Sequence, residues 1–293
     1  MRWAQGFIAV DWGTTNRRAY LIDAGRRCVD EFEDGLGILS VAPGGFHDAI
    51  VQIRARLGDK PLLLGGMIGS NRGWVEAPYV SCPAGLDDLT AGLVWPEDDV
   101  AIVPGVADDG PGRADVMRGE EVQLLGAVAA GTIPADCTVC HPGTHNKWAA
   151  VAGGRIASFR TVMTGELFNL LKENSILADL LGPDAEPGEP FSAGVQRGLE
   201  GDGIQAELFA VRARVLLGKS PREHAAAFTS GLLIGGDVRI GLAASCGDVV
   251  VMGRPELTEL YAAAIAIAGR QAVELDGEQC FLAGAIHIAE RIA

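Results

Sequence analysis

Phe7-Ile8-Ala9-Val10-Asp11-Trp12-Gly13-Thr14-Thr15-Asn16-Arg17 decides the reading of this chain, because its plan returns 130 residues later. The second copy is Cys137-Thr138-Val139-Cys140-His141-Pro142-Gly143-Thr144-His145-Asn146-Lys147. Each copy runs on into another short apolar stretch and a glycine turn, Ala24-Gly25-Arg26 and Gly153-Gly154-Arg155. Both read as strand, Gly-Thr turn, strand. Such a turn exposes backbone N–H groups and hydroxyls in a concave arrangement that suits phosphate oxygens. One copy alone is ordinary turn chemistry. Two copies with matching flanks point to two related domains gripping a nucleotide triphosphate tail.

The composition fits that plan. At 293 residues the chain is long for one core and comfortable for two. Hydrophobic residues make up 48% and charged ones 21%, a globular balance. A net charge of −14 argues against a nucleic-acid partner, since little would neutralise a phosphate backbone. Anionic small substrates stay open, because a local group of Arg and Lys can override acidic bulk. No secretory apolar region fits the first residues, and the stretch Ala262 to Ala268 is too short to span a bilayer. The expectation is a soluble, cytoplasmic protein with no membrane partner; homo-oligomer formation is left open.

Two short motifs are set aside. Cys137-Thr138-Val139-Cys140-His141 has the haem-attachment spacing and, with His145, could be drawn as a zinc site. In a strand, however, alternate side chains point to opposite faces, and no second cysteine pair accompanies it. Gly218-Lys219-Ser220 resembles the end of a P-loop, but Ala213 stands where the leading glycine belongs and a helical pattern precedes it.

Along the first half, the strands Phe7–Val10, Arg18–Ile22 and Cys28–Phe32 are followed by a helix with Phe46, Ala49, Ile50, Ile53 and Leu57 on one face. Leu62-Leu63-Leu64 reads as a buried strand, then a long glycine-rich loop runs from Gly65 to Gly85, of the kind that is usually functional. Ala101-Ile102-Val103 is a strand, and Glu120 to Ala130 a helix. Gly131-Thr132-Ile133-Pro134 then punctuates the chain, so the domains are set at 1–131 and 132–293. The second half repeats strand, turn, strand, turn, strand (Ile156–Arg160), with a helix from Thr164 to Leu171. Helices from Phe191 to about Ala243, a strand Val249–Met252, a helix Glu256–Ala268, a strand Ala272–Leu275 and a closing helix from Ala283 complete it. Meanders followed by alternating helix and strand, twice over, predict an α/β protein with two similar mixed-sheet domains.

Asp11-Trp12-Gly13-Thr14-Thr15-Asn16 with Arg18, and Pro142-Gly143-Thr144-His145 with Lys147-Trp148, resemble the phosphate motifs of the actin-like ATPase and sugar kinase superfamily. More narrowly, the chain resembles the 2-dehydro-3-deoxygalactonokinase family. That likeness rests on Gly66-Met67-Ile68-Gly69-Ser70-Asn71 with Gly73-Trp74, on Val116-Met117-Arg118-Gly119-Glu120-Glu121, on Phe159 through Leu167, and on Ser230-Gly231-Leu232-Leu233-Ile234-Gly235. The resemblance covers essentially the whole chain. It implies two ribonuclease-H-like domains, with the active site in the cleft between them. It also implies ATP-dependent phosphorylation of the 6-hydroxyl of 2-dehydro-3-deoxy-D-galactonate in sugar-acid catabolism.

The resemblance carries residue roles that chemistry supports. Asp11 would hold Mg²⁺, partly through water, since that ion keeps much of its hydration shell. Gly13, Thr14 and Thr15 would face one end of the triphosphate; Gly143 and Thr144 would face the other, with His145 or Lys147 adding charge or hydrogen bonds. Gly253 lies where the superfamily approaches adenine and ribose. Related kinases place Gly-Asp at a helix start about twenty residues before the second phosphate hairpin, where this chain has Gly119-Glu120. Glu120 is therefore the expected general base and Glu121 the alternative; acids at a helix start also suit the dipole. Ser70, Asn71 and Trp74 resemble a sugar-binding loop. Arg118 and Arg160 are candidates for the substrate carboxylate, which Arg binds bidentately. Two other readings remain: a kinase for another 2-keto-3-deoxy sugar acid or a hexose, and a non-catalytic sugar or nucleotide sensor of the same fold.

Overall fold

Apolar strands bounded by glycine turns build two separate sheets in the computed structural model, which describes residues 3–182, 186–201, 203–245 and 247–292. The first begins with β1 (Phe7–Trp12), β2 (Arg17–Ile22) and β3 (Cys28–Asp34), each antiparallel to the next. Helix α1 (Phe46–Leu57) returns the chain to β4 (Leu62–Gly66), which lies parallel to β1. A short strand β5 (Tyr79–Ser81) and α2 (Leu86–Ala91) precede β6 (Val94–Glu97) and β7 (Val100–Ile102). The sheet order is β3-β2-β1-β4-β7-β6. Next, β8 (Gly105–Asp108) and β9 (Asp115–Met117) join β5 in a small separate sheet, and α3 (Glu120–Ala129) follows.

Strands β10 (Cys137–His141), β11 (Asn146–Ala152) and β12 (Arg155–Val162) restart the plan. Four helices follow: α4 (Thr164–Asn174), α5 (Glu189–Glu200), α6 (Ile204–Leu216) and α7 (Ala225–Leu242). Strand β13 (Val249–Gly253) lies parallel to both β10 and β14 (Ala272–Asp276), with α8 (Pro255–Ile267) between β13 and β14. This second sheet runs β12-β11-β10-β13-β14. The chain ends in α9 (Gly277–Ile292). A three-strand meander continued by parallel strands with crossover helices, made twice, gives the two mixed-sheet α/β units expected from the hairpins and the ribonuclease-H-like fold that the resemblance implies.

Each unit has its own core. In the first, Ile8, Val10 and Trp12 of β1 pack with Leu62 and Leu64 of β4 and with Ile50 and Ile53 of α1. In the second, Val249 and Val251 of β13 pack with Phe191, Val195, Ile234 and Leu260. Glycines draw α5 and α7 together there: a Cβ on Gly194 would lie 2.2 Å from the Phe228 carbonyl oxygen, and one on Gly235 2.3 Å from that of Val195. That pairing also accounts for Arg222–Leu242, a helix long and apolar enough to cross a membrane by length and composition alone and longer than the apolar stretch Ala262 to Ala268. Its Gly231 and Gly235 pack on α5, Gly241 packs on the Trp148 ring, and most of the helix is buried within the fold.

The division of the chain differs from the expected 1–131 and 132–293. One unit comprises Met1–Asp136, Val151–Ser158 and Gly277–Ala293; the other comprises Cys137–Ala150 and Phe159–Asp276. Two contacts account for this. Ala84 and Ile156 exchange backbone hydrogen bonds of 3.0 and 2.8 Å. Helix α9 lies against α3, where a Cβ on Gly126 would meet the Cys280 carbonyl oxygen at 2.2 Å and one on Gly284 the Val122 carbonyl oxygen at 2.1 Å. The closing helix also starts at Gly277, nearly two turns before the expected Ala283.

Candidate active site

In the first unit the Gly13-Thr14-Thr15 turn is clasped from behind. The N–H groups of Ile38, Leu39 and Gly37 donate to the carbonyls of Gly13, Thr14 and Thr15 at 3.0, 3.2 and 3.0 Å. Engaging those oxygens removes acceptors that would otherwise repel an anion. Gly37 must be glycine to come this close, since a Cβ would lie 2.3 Å from the Thr15 carbonyl carbon. The exposed Thr14 and Thr15 are thus held on a braced turn.

Two further glycines bring carboxylates to the same end of this sheet. In the β1–β4 register Asp11 lies opposite Gly65 and Trp12 opposite Gly66. Gly66, at φ 88°, approaches so closely that a Cβ would sit 2.9 Å from the Trp12 oxygen and 3.3 Å from Asp11 Oδ1. Gly119, at φ 111°, lies over it, with a Cβ position 3.3 Å from the Gly66 Cα. The N-terminus of α3 therefore meets the carboxyl ends of β1 and β4, where open α/β sheets place their sites.

Glu120 and Glu121 differ sharply there. Glu120 is half-buried and its Oε2 accepts the Arg118 N–H at 3.1 Å. Glu121 is fully buried, and both its oxygens accept the Gly119 N–H, at 2.9 and 2.7 Å. Burial, and then the charge of Glu120, push the Glu121 carboxyl up to about 8. The structure thus separates the two acids: one lies near solvent, the other is enclosed under the Gly119 turn, where burial favours its protonated form.

The glycine-rich loop is tighter than its composition suggests. Ser70 is buried, donating to the Met67 carbonyl at 2.7 Å and accepting from the Arg72 N–H at 3.3 Å. Trp74 stacks on Phe46 with centroids 6.3 Å apart, and Asn71 is exposed. Arg118 packs 4.4 Å over the Tyr79 ring and donates Nη2 to the Ala77 carbonyl at 2.8 Å, while its Nε and Nη1 are buried without a hydrogen-bond partner. In this structure Ser70 and Arg118 brace the loop from inside. Arg160, by contrast, is exposed on β12.

In the second unit the Gly143-Thr144 turn meets the start of α4. The Glu166 N–H donates to the Thr144 carbonyl at 2.9 Å, and a Cβ on Gly165 would lie 2.5 Å from the Gly143 oxygen. A helix N-terminus beside a glycine turn is a ready anion site. Exposed His145 pairs through Nε2 with the Glu166 carboxylate in a short contact. Lys147 is buried at 4% exposure with Nζ 3.4 Å from the His145 oxygen, so it anchors the turn from within.

A recess of about 580 Å³ opens beside this turn, wholly within the second unit. Gly143, Thr144 and Gly165 form one side; Phe168, Asn169 and Ser230 continue it, and Leu257, Leu260 and Tyr261 of α8 close the far wall. Its volume lies in the range of small-molecule and cofactor sites, and its lining mixes apolar walls with a few polar groups. Gly253 ends β13, with a Cβ position 3.6 Å from the Pro142 oxygen; the helix after it, not Gly253, lines the recess. Phe168, Asn169 and the α8 residues are missed by motif reading because they are contributed at helical spacing by elements distant in sequence. Ser230, within a quoted motif, was the available signal.

Asp237 is the other residue that sequence reasoning missed. It is 1% exposed on α7 and accepts Trp148 Nε1 at 2.7 Å, Asn146 Nδ2 at 2.8 Å, and the hydroxyls of Thr164 and Tyr261 at 2.5 Å each. Burial pushes its carboxyl up, while these four donors pull it back.

Among the described residues no cluster of three or more His, Cys, Asp or Glu forms a metal cage. Mg²⁺ needs none, because it is commonly held by one or two carboxylates together with substrate phosphates and water. Asp11, a hard oxygen donor beside a glycine-lined approach, fits that requirement.

Known proteins resemble this chain over nearly its whole length. The family model described as 2-keto-3-deoxy-galactonokinase matches residues 11–288. The 2-dehydro-3-deoxygalactonokinase of Escherichia coli (strain K12) is 36% identical over 296 aligned positions, covering 98% of each chain. A solved Sinorhizobium meliloti structure, assigned by its description to the same enzyme, superposes with a TM-score of 0.92 at 34% identity, over 98% of this chain and 99% of that one. A more distant structure, component A of (R)-2-hydroxyglutaryl-CoA dehydratase from Acidaminococcus fermentans, gives a TM-score of 0.53 at 12% identity over 98% of each chain and shares the fold alone. With a family match over nearly its whole length, the chain belongs to the 2-keto-3-deoxy-galactonokinase family.

Proposed function

We propose that this sugar-acid kinase transfers the γ-phosphoryl group of ATP to the 6-hydroxyl of 2-dehydro-3-deoxy-D-galactonate, with Mg²⁺ as the metal. The observation that carries the nucleotide side is the recess beside Gly143, Thr144 and the start of α4. Leu257, Leu260 and Tyr261 on its α8 wall suit a base, the Glu256 and Glu259 carboxylates beside them suit sugar hydroxyls, and the glycine turn suits phosphates. The Gly13-Thr14-Thr15 turn supplies a second set of donors. Phosphoryl transfer asks the protein chiefly for positioning and charge stabilisation, which fixed turn donors supply without reorganising.

The substrate 6-hydroxyl oxygen attacks the γ-phosphorus, its proton passes to a Glu120 carboxylate oxygen, and the bridging oxygen departs with ADP. Glu120 is preferred over Glu121 because Glu121 is enclosed and holds the Gly119 amide with both oxygens. Asp11 would hold Mg²⁺, which neutralises charge on the phosphates when bound. Ser70, Asn71 and Trp74 are the candidates for the sugar acid, with Arg118 and Arg160 for its carboxylate; the Nε and Nη1 of Arg118 are buried without a hydrogen-bond partner.

The test is ADP release with Mg-ATP across a panel of 2-keto-3-deoxy sugar acids and ordinary hexoses. The expected result is preference for 2-dehydro-3-deoxy-D-galactonate, with phosphate found on its 6-position. Preference for another acid or a hexose would overturn the substrate assignment, and no ADP release with any of them would overturn kinase activity.

A further inference from the structure

We propose that Asp237 is a positioning residue for the nucleotide recess, holding three of its walls in register without touching the ligand. This rests on the reading of that recess as the ATP site. Each hydrogen bond to its carboxylate leads to a different part of the wall. Asn146 and Trp148 begin β11, directly after the Gly143-Thr144 turn. Thr164 is the first residue of α4, next to the Gly165 that packs on the turn. Tyr261 belongs to α8, whose Leu257 and Leu260 close the far side. One side chain on α7 therefore ties turn, helix start and far wall to a single point.

A packing role alone explains this poorly. Helix α7 is otherwise apolar at its buried positions, apart from Thr229 and Ser230, and an aliphatic residue would fill the site without desolvating a charge. A buried carboxylate is tolerated because four donors satisfy it, three of them on Oδ2. Such a network specifies one arrangement of the elements it joins, because any shift leaves a donor or acceptor unpaired in low dielectric. Asp237 does not line the recess; it faces a neighbouring cavity of about 400 Å³. Thr164 and Tyr261 stand between it and the recess, lining the latter themselves.

The experiment compares wild type with Asp237→Asn in the full-length chain, measuring KM for ATP, KM for the sugar acid, direct binding of Mg-ATP and the melting temperature. Asparagine keeps the shape but turns an acceptor into a donor facing other donors. The expected result is a KM for ATP raised about tenfold, the scale of one or two misplaced hydrogen bonds, with the KM for the sugar acid within about twofold. A variant that melts earlier with both KM values unchanged, or raised together, shows a merely structural aspartate and overturns the proposal. If Asp237→Asn fails to fold, Trp148→Phe, which removes one donor to Asp237 from a residue that does not line the recess, is judged by the same split. Absence of Mg-ATP binding by the wild type would instead sink the nucleotide reading of the recess, and this inference with it.

Discussion

At the scale of single residues, adjacent glutamates at one helix start show how position alone assigns different work. Glu120 lies near solvent, while Glu121 is enclosed under the Gly119 turn. Glu120→Gln keeps size and hydrogen-bonding reach but cannot take a proton. Its kcat is expected to fall by about 10²–10⁴-fold, the usual worth of a positioned base, with both KM values nearly unchanged. Steady-state kinetics check this, and a near-normal kcat would leave the proton to the transferring phosphate late in the reaction. Glu121 makes a different prediction. Between its ordinary value of 4.5 and about 8, the folded protein holds a proton that the unfolded chain has released. Its contribution to stability is therefore full below the lower value and is lost as pH rises through the upper one. Glu121→Gln mimics the protonated form at all pH. The variant should melt at a temperature less dependent on pH than wild type, and on the alkaline side it should be more stable than wild type by on the order of a few kcal/mol. Parallel thermal melts across that range measure it; identical slopes for the two proteins would contradict it.

At the scale of elements, close approach recurs wherever the site is assembled, and glycine permits it each time. Gly37 backs the Gly13-Thr14-Thr15 turn, Gly165 the Gly143-Thr144 turn, and Gly66 with Gly119 joins α3 to the ends of β1 and β4. The α5–α7 pair uses the same device to build the scaffold behind the recess. Gly235→Ala tests it with opposing expectations. Alanine favours a helix over glycine by about 1 kcal/mol, so propensity alone predicts stabilisation. A Cβ at this position would lie 2.3 Å from the Val195 carbonyl oxygen, so the helices must separate, which costs about 1–3 kcal/mol or more. Overpacking should win, and chemical denaturation is expected to show a less stable protein. A more stable variant would show that the helix pair yields without cost.

At the scale of the whole molecule, the chain's last helix belongs to its first unit. Helix α9 buries Cys280, Phe281, Leu282, Ala285 and Ile288, and packs on α3, whose N-terminus carries Glu120 and Glu121. A chain ending at Asp276 would leave the α3 face with Val122 and Gly126 uncovered. It should lose the cooperative unfolding of the first unit and with it turnover, while Mg-ATP binding to the second unit weakens less. Hydrogen exchange with nucleotide titration reads both, and an intact first unit without α9 would refute the dependence.

Much of this was legible in the amino-acid order. The two strand–turn–strand copies, the helix Phe46–Leu57 and the buried strands Leu62–Leu64 and Val249–Met252 follow from period and turn chemistry that act within a few residues. Glu120 at a helix start was legible for the same reason. Other features came only from distant partners. Strands β5, β8 and β9 lack a clear apolar alternation, and they become strands by pairing with one another. Arg118 and Ser70 look like free groups in a loop, yet in the folded loop they also hydrogen-bond the Ala77 and Met67 carbonyls, partners that no local pattern announces. Asp237 gave no local signal, since its four donors are 24 to 91 residues away. Local periodicity, turns and caps act through neighbouring residues and were therefore set by sequence alone. Which side chain meets which across the core depends on packing and desolvation among distant segments, and only the tertiary structure decided it.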